Sequence, residues 1–233
     1  MKEDGVIPDQ IRDGICELVS EANVPANTCM QAFDVIAHAL GHKVEGSVSK
    51  WSVNRIMKEG GLALRIHATE SFQKADGIGI SSNGTTNKNN NWESHCAEVT
   101  DKNGNCADFF LGISMAVNHT SKTQRDGWIE LVDELYNVFK ESPFNNGEAD
   151  IRDFWTTVTG MHTDHAKDQK KLFRLLKDFK RECDREKRGQ KVVEGLNSHS
   201  IEFLTFQLRV ALKAAEVAGG DEVWNRLSME ERA

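Results

Sequence analysis

Along the first 74 positions apolar residues recur at the spacing of helix faces. In PDQIRDGICELVSEA, Ile11, Ile15, Leu18 and Val19 fall at i, i+4, i+7 and i+8, which predicts an amphipathic helix. NTCMQAFDVIAHALG sets Met30, Phe33, Ile36, Ala37 and Leu40 on one face and predicts a stop at Gly41. SVSKWSVNRIMKEGG offers Ser47 and Ser49 as N-caps, turns Trp51, Val53 and Ile56 inward, and is expected to end at Gly60-Gly61. LALRIHATESF then supplies one more short helix. A helix pair containing SKWSVNRIMKEGG fits either a helix-turn-helix unit that reads DNA or an ordinary packing pair, and fold analogy alone does not choose.

From Asp76 the pattern changes. GIGISS, ESHCAEVT and CADFFLGISMAV are separated by the turn-rich pieces NGTTNKNNN and DKNGN, which predicts three consecutive antiparallel strands. Asn103-Gly104 marks a hairpin. The third segment is apolar at nearly every residue from Phe109 to Val117, so a strand buried on both faces is expected. QRDGWIELVDELYNVFKES returns to helical spacing through Trp128, Leu131, Val132, Leu135, Val138 and Phe139. DFWTTVTGM reads as a fourth strand from Phe154 to Val158, leading into the long helix HTDHAKDQKKLFRLLKDFKRECDREKR. A final amphipathic helix, SHSIEFLTFQLRVALKAAEVAGG, is expected to end at Gly219.

The order β-β-β-α-β-α, preceded by a small helical region, predicts an α/β fold: a mixed α+β sheet with helices on its faces. The expected division is residues 1–74 helical, 75–195 the mixed core, and 196–233 a helical segment that stops where a larger protein would continue.

Composition leaves this picture in place. With 233 residues, 39% hydrophobic and 28% charged, and only three prolines, the chain can bury a core. No apolar run approaches the roughly 20 residues of a membrane span, and MKEDGVIPDQ lacks the pattern of a secretion signal. An intracellular protein with no membrane partner is expected, nuclear if it acts on DNA; its oligomeric state is not legible. Five scattered cysteines without a CxxC pair read as reduced, mostly buried thiols, with no nucleophile turn. A net charge of −7 confines any nucleic-acid contact to a local patch.

Such a patch is offered by the long helix, with Lys167, Lys170, Lys171 and Arg174 at its start, and by Arg55 in the N-terminal region. A basic helix face can track phosphates, or it can be a solvated face laced with i, i+4 pairs. In a β-β-β-α-β-α order the first and fourth strands lie side by side, so Asn83 after strand one and Asp164 after strand four are expected to approach each other. Two carboxylates there could hold paired Mg²⁺ or Mn²⁺ ions about 3.5–4 Å apart for phosphodiester cleavage or transfer. His162, Asp164 and His165 also suggest a fragment of a Zn²⁺ or Fe²⁺ site, completed only if His95 or His119 converges on it.

SSNGTTNKNNNWESH, FLGISMAVNHTSKTQRDGWIELVDELY and GMHTDHAKDQKKL together resemble transposase-like proteins of fungal mobile elements, in which S-x-D-G-T precedes N-x-E-S-[RK]-H. The resemblance spans roughly residues 47 to 232. It implies a ribonuclease-H-like core and strand transfer or cleavage of DNA dependent on Mg²⁺ or Mn²⁺, if the chain is active, and no cofactor otherwise. Asp164 matches the second acid. The first acid's position holds Asn83, whose neutral amide offers a single carbonyl oxygen to a metal that prefers anions. A third acid is expected from Glu134 or Glu130 on the helix after strand three, and Glu93 or Asp108 could substitute for the first. The glutamates on the helix fit equally well as solvated residues. Three functions follow as expectations: an impaired transposon-derived domain that retains DNA binding, an active metal-dependent nuclease or transposase, and a non-enzymatic protein-interaction module.

Overall fold

The computed structural model describes residues 2, 5–88, 90–116, 118, 120–145, 147, 149–162, 167–196 and 198–227. Among these residues eight helices and four strands follow one another: α1 Asp9–Ser20, α2 Cys29–Ala39, α3 Lys50–Lys74, β1 Ala75–Asn87, β2 Asn90–Asp101, β3 Cys106–Ala116, α4 Ser121–Lys140, α5 Ile151–Thr157, β4 Val158–His162, α6 Lys167–Glu194, α7 Ser198–Val217 and α8 Asp221–Arg226. The strands form one mixed sheet in the order β3-β2-β1-β4. β1 runs antiparallel to β2 and parallel to β4, and β2 runs antiparallel to β3. The first and fourth strands are therefore neighbours, as the element order predicts.

Local chemistry fixes many of the ends. Ser49 caps α3 by accepting from the Ser52 backbone N–H at 3.2 Å, and Thr120 does the same for α4 from Thr123 at 3.3 Å. After α2, Gly41 at φ 76° lets the His42 N–H reach the Ala37 carbonyl at 2.9 Å, closing the helix as expected. The β2–β3 hairpin is organised by Asp101, whose carboxylate accepts from the backbone N–H groups of Asn103 and Asn105 at 2.8 and 2.9 Å. These bonds, with one from the Asn105 side chain, hold the Asp101 carboxyl below its usual range.

Strand alternation sorts the sheet into two unlike faces. One carries Ile78 and Ile80 of β1 against Val99 and Ala97 of β2, all buried. Helices α3, α4 and α5 cover it: Phe72 of α3 packs edge-on against Phe109 of β3 and Phe154 of α5, and Trp128 of α4 against His95 of β2. On the opposite face Phe110, Ile113 and Met115 of β3 are 65%, 61% and 65% exposed. The third strand is thus an edge strand with a wet face, contrary to the expectation of burial on both sides.

A β-bulge explains that run of apolar residues. The β2–β3 register shifts between His95, opposite Gly112, and Cys96, opposite Phe110, leaving Leu111 as the extra residue. Phe109 and Leu111 turn inward while Phe110 and Ile113 turn outward, so an apolar residue at every position no longer means burial on both sides.

Three other expectations change. The helix does not stop at Gly60-Gly61: α3 runs 25 residues from Lys50 to Lys74, because its buried residues Val53, Ile56, Ala68, Thr69 and Phe72 repay two glycines with tertiary contact. Trp51 points to solvent. Phe154–Thr157 is helical, capped by Asp150, which accepts from the Arg152 N–H at 2.9 Å, and the fourth strand begins only at Val158. Most of NGTTNKNNN is strand, for β1 extends to Asn87, which pairs with Asn90.

By compactness the chain forms two units, Met1–Phe179 and Lys180–Ala233. In the first, a cluster of Ile15, Cys29, Val48, Val53 and Ile56 joins α1, α2 and α3, and residues 40–49 connect α2 to α3. That connection exceeds the turn of about three or four residues that a helix-turn-helix uses. In the second unit α7 closes at Gly219, φ 101°, as expected, with Gly220 N–H bonded to the Ala215 carbonyl at 2.8 Å.

Candidate functional site

Two places in the first unit gather chemistry-bearing residues, and they lie on opposite faces of the sheet. The first is the β1–β4 edge. The parallel register brings His162 beside Ser81, two residues before Asn83 in β1. Asn83 is exposed, pairs with Ser94, and accepts from the Ser94 hydroxyl through its backbone carbonyl at 3.2 Å. Asn83 is therefore a strand residue on the open face and not part of a turn. His162 Nε2 lies 3.8 Å from Glu98, which sits opposite Gly79, four residues or about 13 Å along β1 from Asn83. Asp164, with His165, lies outside the described residues, as does His119. Among the described residues no three His, Cys, Asp or Glu side chains form a group able to hold a metal ion. Asn83 supplies a neutral ligand atom, so the described part of this edge does not fit a paired-cation site.

The second place is a cavity of about 470 Å³ on the covered face, between β2–β3 and α4. Glu93 and His95 of β2 form its closed end, only 3% and 2% exposed. Their Oε1 and Nε2 atoms stand 3.8 Å apart, and neither has a hydrogen-bond partner. Burial pushes the Glu93 carboxyl up, partly opposed by the Ser82 hydroxyl, and pushes His95 down to about 4. His95 packs edge-on against Trp128 with ring centroids 4.7 Å apart. Along the mouth, Asp126, Glu130 and Glu134 recur every fourth residue and so share one stripe of α4. Asp126 pairs with Arg125 at 2.5 Å, and Glu134 pairs with Arg65 of α3.

No family model matches this chain, and no curated protein matches it.

The candidate acids are thus divided. Glu93 and Glu134 meet at one cavity together with Glu130, while Asn83 faces the other way: Glu93 pairs with Gly84 and Asn83 with Ser94. Asp108 sits opposite Glu98 on the open face. His95 and His162 point to opposite faces, so these two do not converge on one metal. Lys167, Lys170, Lys171 and Arg174 are all exposed at the start of α6, opposite the buried Gln169, Leu172 and Leu176. Arg55 is exposed on α3 and pairs with Glu59 at 3.2 Å.

Sequence reasoning treated Glu93 and His95 separately and missed Arg65, Asp126 and Gly112. One signal could have joined the first two. In WESHCAEV, positions 93, 95, 97 and 99 alternate, and the partners of Glu93 and His95 on that face are Ala97 and Val99, which belong to a core. Arg65 and Asp126 carry no such signal, because only the approach of α3 and α4 to the sheet brings them there.

Proposed function

We propose that this chain is a transposon-derived, ribonuclease-H-like domain, impaired at its first acid position, that retains contact with DNA. The observation that carries the proposal is the parallel pairing of β4 with β1 at the end of an antiparallel β1-β2-β3 meander. β1 meets an antiparallel neighbour on one side and a parallel one on the other, and β4 ends at His162 beside Ser81, on the sheet face that carries Asn83; the carboxyl ends of parallel strands are where α/β sheets bind ligands. Asn83 stands two residues past Ser81, and Asp164 two residues past its partner His162 in sequence. An amide in place of the first carboxylate removes an anionic ligand from that edge, which supports binding without efficient phosphodiester chemistry. The exposed bases that open α6 follow within ten residues and would contact phosphates without reading bases.

Two measurements test the proposal. A gel shift with duplex DNA at low salt should show binding that weakens as salt rises and is lost on charge reversal of Lys170, Lys171 and Arg174. Calorimetry with Mn²⁺ should show no micromolar binding; such binding, abolished by Asp164→Ala, would establish the active nuclease instead. Absence of any salt-sensitive DNA binding would leave the protein-interaction function in place of both.

A further inference from the structure

Buried polar atoms in folded proteins nearly always have partners, and an unpartnered one costs on the order of 1–3 kcal/mol. Glu93 Oε1 and His95 Nε2 have no protein partner among the described residues and stand 3.8 Å apart, lining the inner end of a cavity of about 470 Å³. An ionised carboxylate and an imidazole Nε2 whose ring proton sits on Nδ1 are two acceptors, and the buried Ser82 hydroxyl is the one protein donor placed near them among the described residues. The cavity above them is open, for the strand opposite His95 is Gly112, at φ 128°, where an added Cβ would meet nothing within 4 Å. Leu111 and Leu131 supply apolar walls. At the mouth Glu130 lies between two acids that already hold arginines.

We propose that this cavity is a binding site for a small organic dication of the alkyl diamine class. One ammonium donates to Glu93 Oε1 and His95 Nε2 at the closed end. The methylene chain lies against Leu111 and Leu131, and the second ammonium reaches Glu130. An ammonium brings three donors to these acceptors where the described residues offer the Ser82 hydroxyl alone, and a charge-assisted bond to a buried carboxylate is among the stronger polar contacts available. A metal ion fits less well, since the described residues provide no group of three ligating side chains. The site faces away from Asn83 and does not depend on the DNA-binding function.

The test is an NMR and calorimetric titration of the whole chain with 1,4-diaminobutane at low salt, with n-butylamine and Mn²⁺ as companions. Saturable diamine binding is expected, with shifts in the amide signals of Glu93, His95 and Gly112. Glu93→Gln should weaken it at least about tenfold, and Glu130→Gln, at an exposed position that cannot affect folding much, by about threefold to fivefold. Butylamine should bind more weakly than the diamine by a similar factor to the Glu130 change. The inference is overturned if the folded chain shows no saturable binding, if both variants bind as the parent does, or if Mn²⁺ alone binds in a way that Glu93→Gln abolishes.

Discussion

At the scale of single residues, His95 and Glu93 set opposite pH dependences. His95 is neutral in both states above its ordinary 6.5; as pH falls, the unfolded chain takes up a proton first while burial keeps the folded imidazole neutral to about 4. Its contribution is therefore complete above pH 6.5 and is lost as pH falls toward 4. Glu93, raised from 4.5, works the other way: the folded carboxyl keeps its proton longer, so its contribution is greatest at low pH and declines as pH rises. Chemical denaturation from pH 7 to 4 should show wild type losing more stability than His95→Gln, by a few kcal/mol at most and about 3 if the full shift is expressed. Glu93→Gln should be at least as stable as wild type at pH 7, measured by thermal melting. A third residue carries the chemistry at the strand edge. Asn83→Asp alone should not yield cleavage of supercoiled DNA in Mg²⁺ or Mn²⁺, because one restored carboxylate does not supply a downstream acid; nicking above the wild-type background would overturn this.

Elements show where a sequence pattern holds and where packing overrides it. The helix periodicity, the Gly41 and Gly219 stops, the Asn103-Gly104 hairpin and the adjacency of β1 and β4 are all legible, because each rests on local chemistry or on chain order. What is not legible depends on contacts distant in sequence. Gly60-Gly61 looks like a terminus, yet α3 passes through it with Val53 and Ile56 buried on one side and Phe72 on the other. Gly61 has no atom within 4 Å of an added Cβ, so Gly61→Ala should stabilise the protein by about 0.5–1 kcal/mol in a urea melt. The sheet gives a matching contrast. Ile80→Ala, at a fully buried position, should cost about 2–5 kcal/mol, whereas Ile113→Ala on the open face should cost under about 1, compared in the same denaturation series.

At the scale of the whole molecule, the two units differ in how much they bury. The first holds Trp128, Trp155, Tyr136, Phe72, Phe139 and Phe154 away from solvent. In the second, Phe203, Phe206, Leu208 and Leu212 of α7 are all more than half exposed. Few buried apolar contacts mean easy local opening, so hydrogen exchange should strip amides from Phe203 to Leu212 well before those of Ile78 to Ile80, by at least about a hundredfold in rate. No described helix is long and apolar enough to cross a membrane. The candidate acids were readable as residues but not as a group, since alternation assigns faces only where the count is unbroken, and on β3 it is broken once. That single surplus residue has a geometric effect on everything above it. In a strand without the bulge, Leu111 would stand opposite His95 and Ile113 opposite Glu93, two branched side chains plugging the space. With it, Gly112 and Ser114 take those places. The hollow beside the buried acid is therefore an effect of parity: one residue added to an edge strand changes which side chains face inward, and an opening remains where a core would otherwise close.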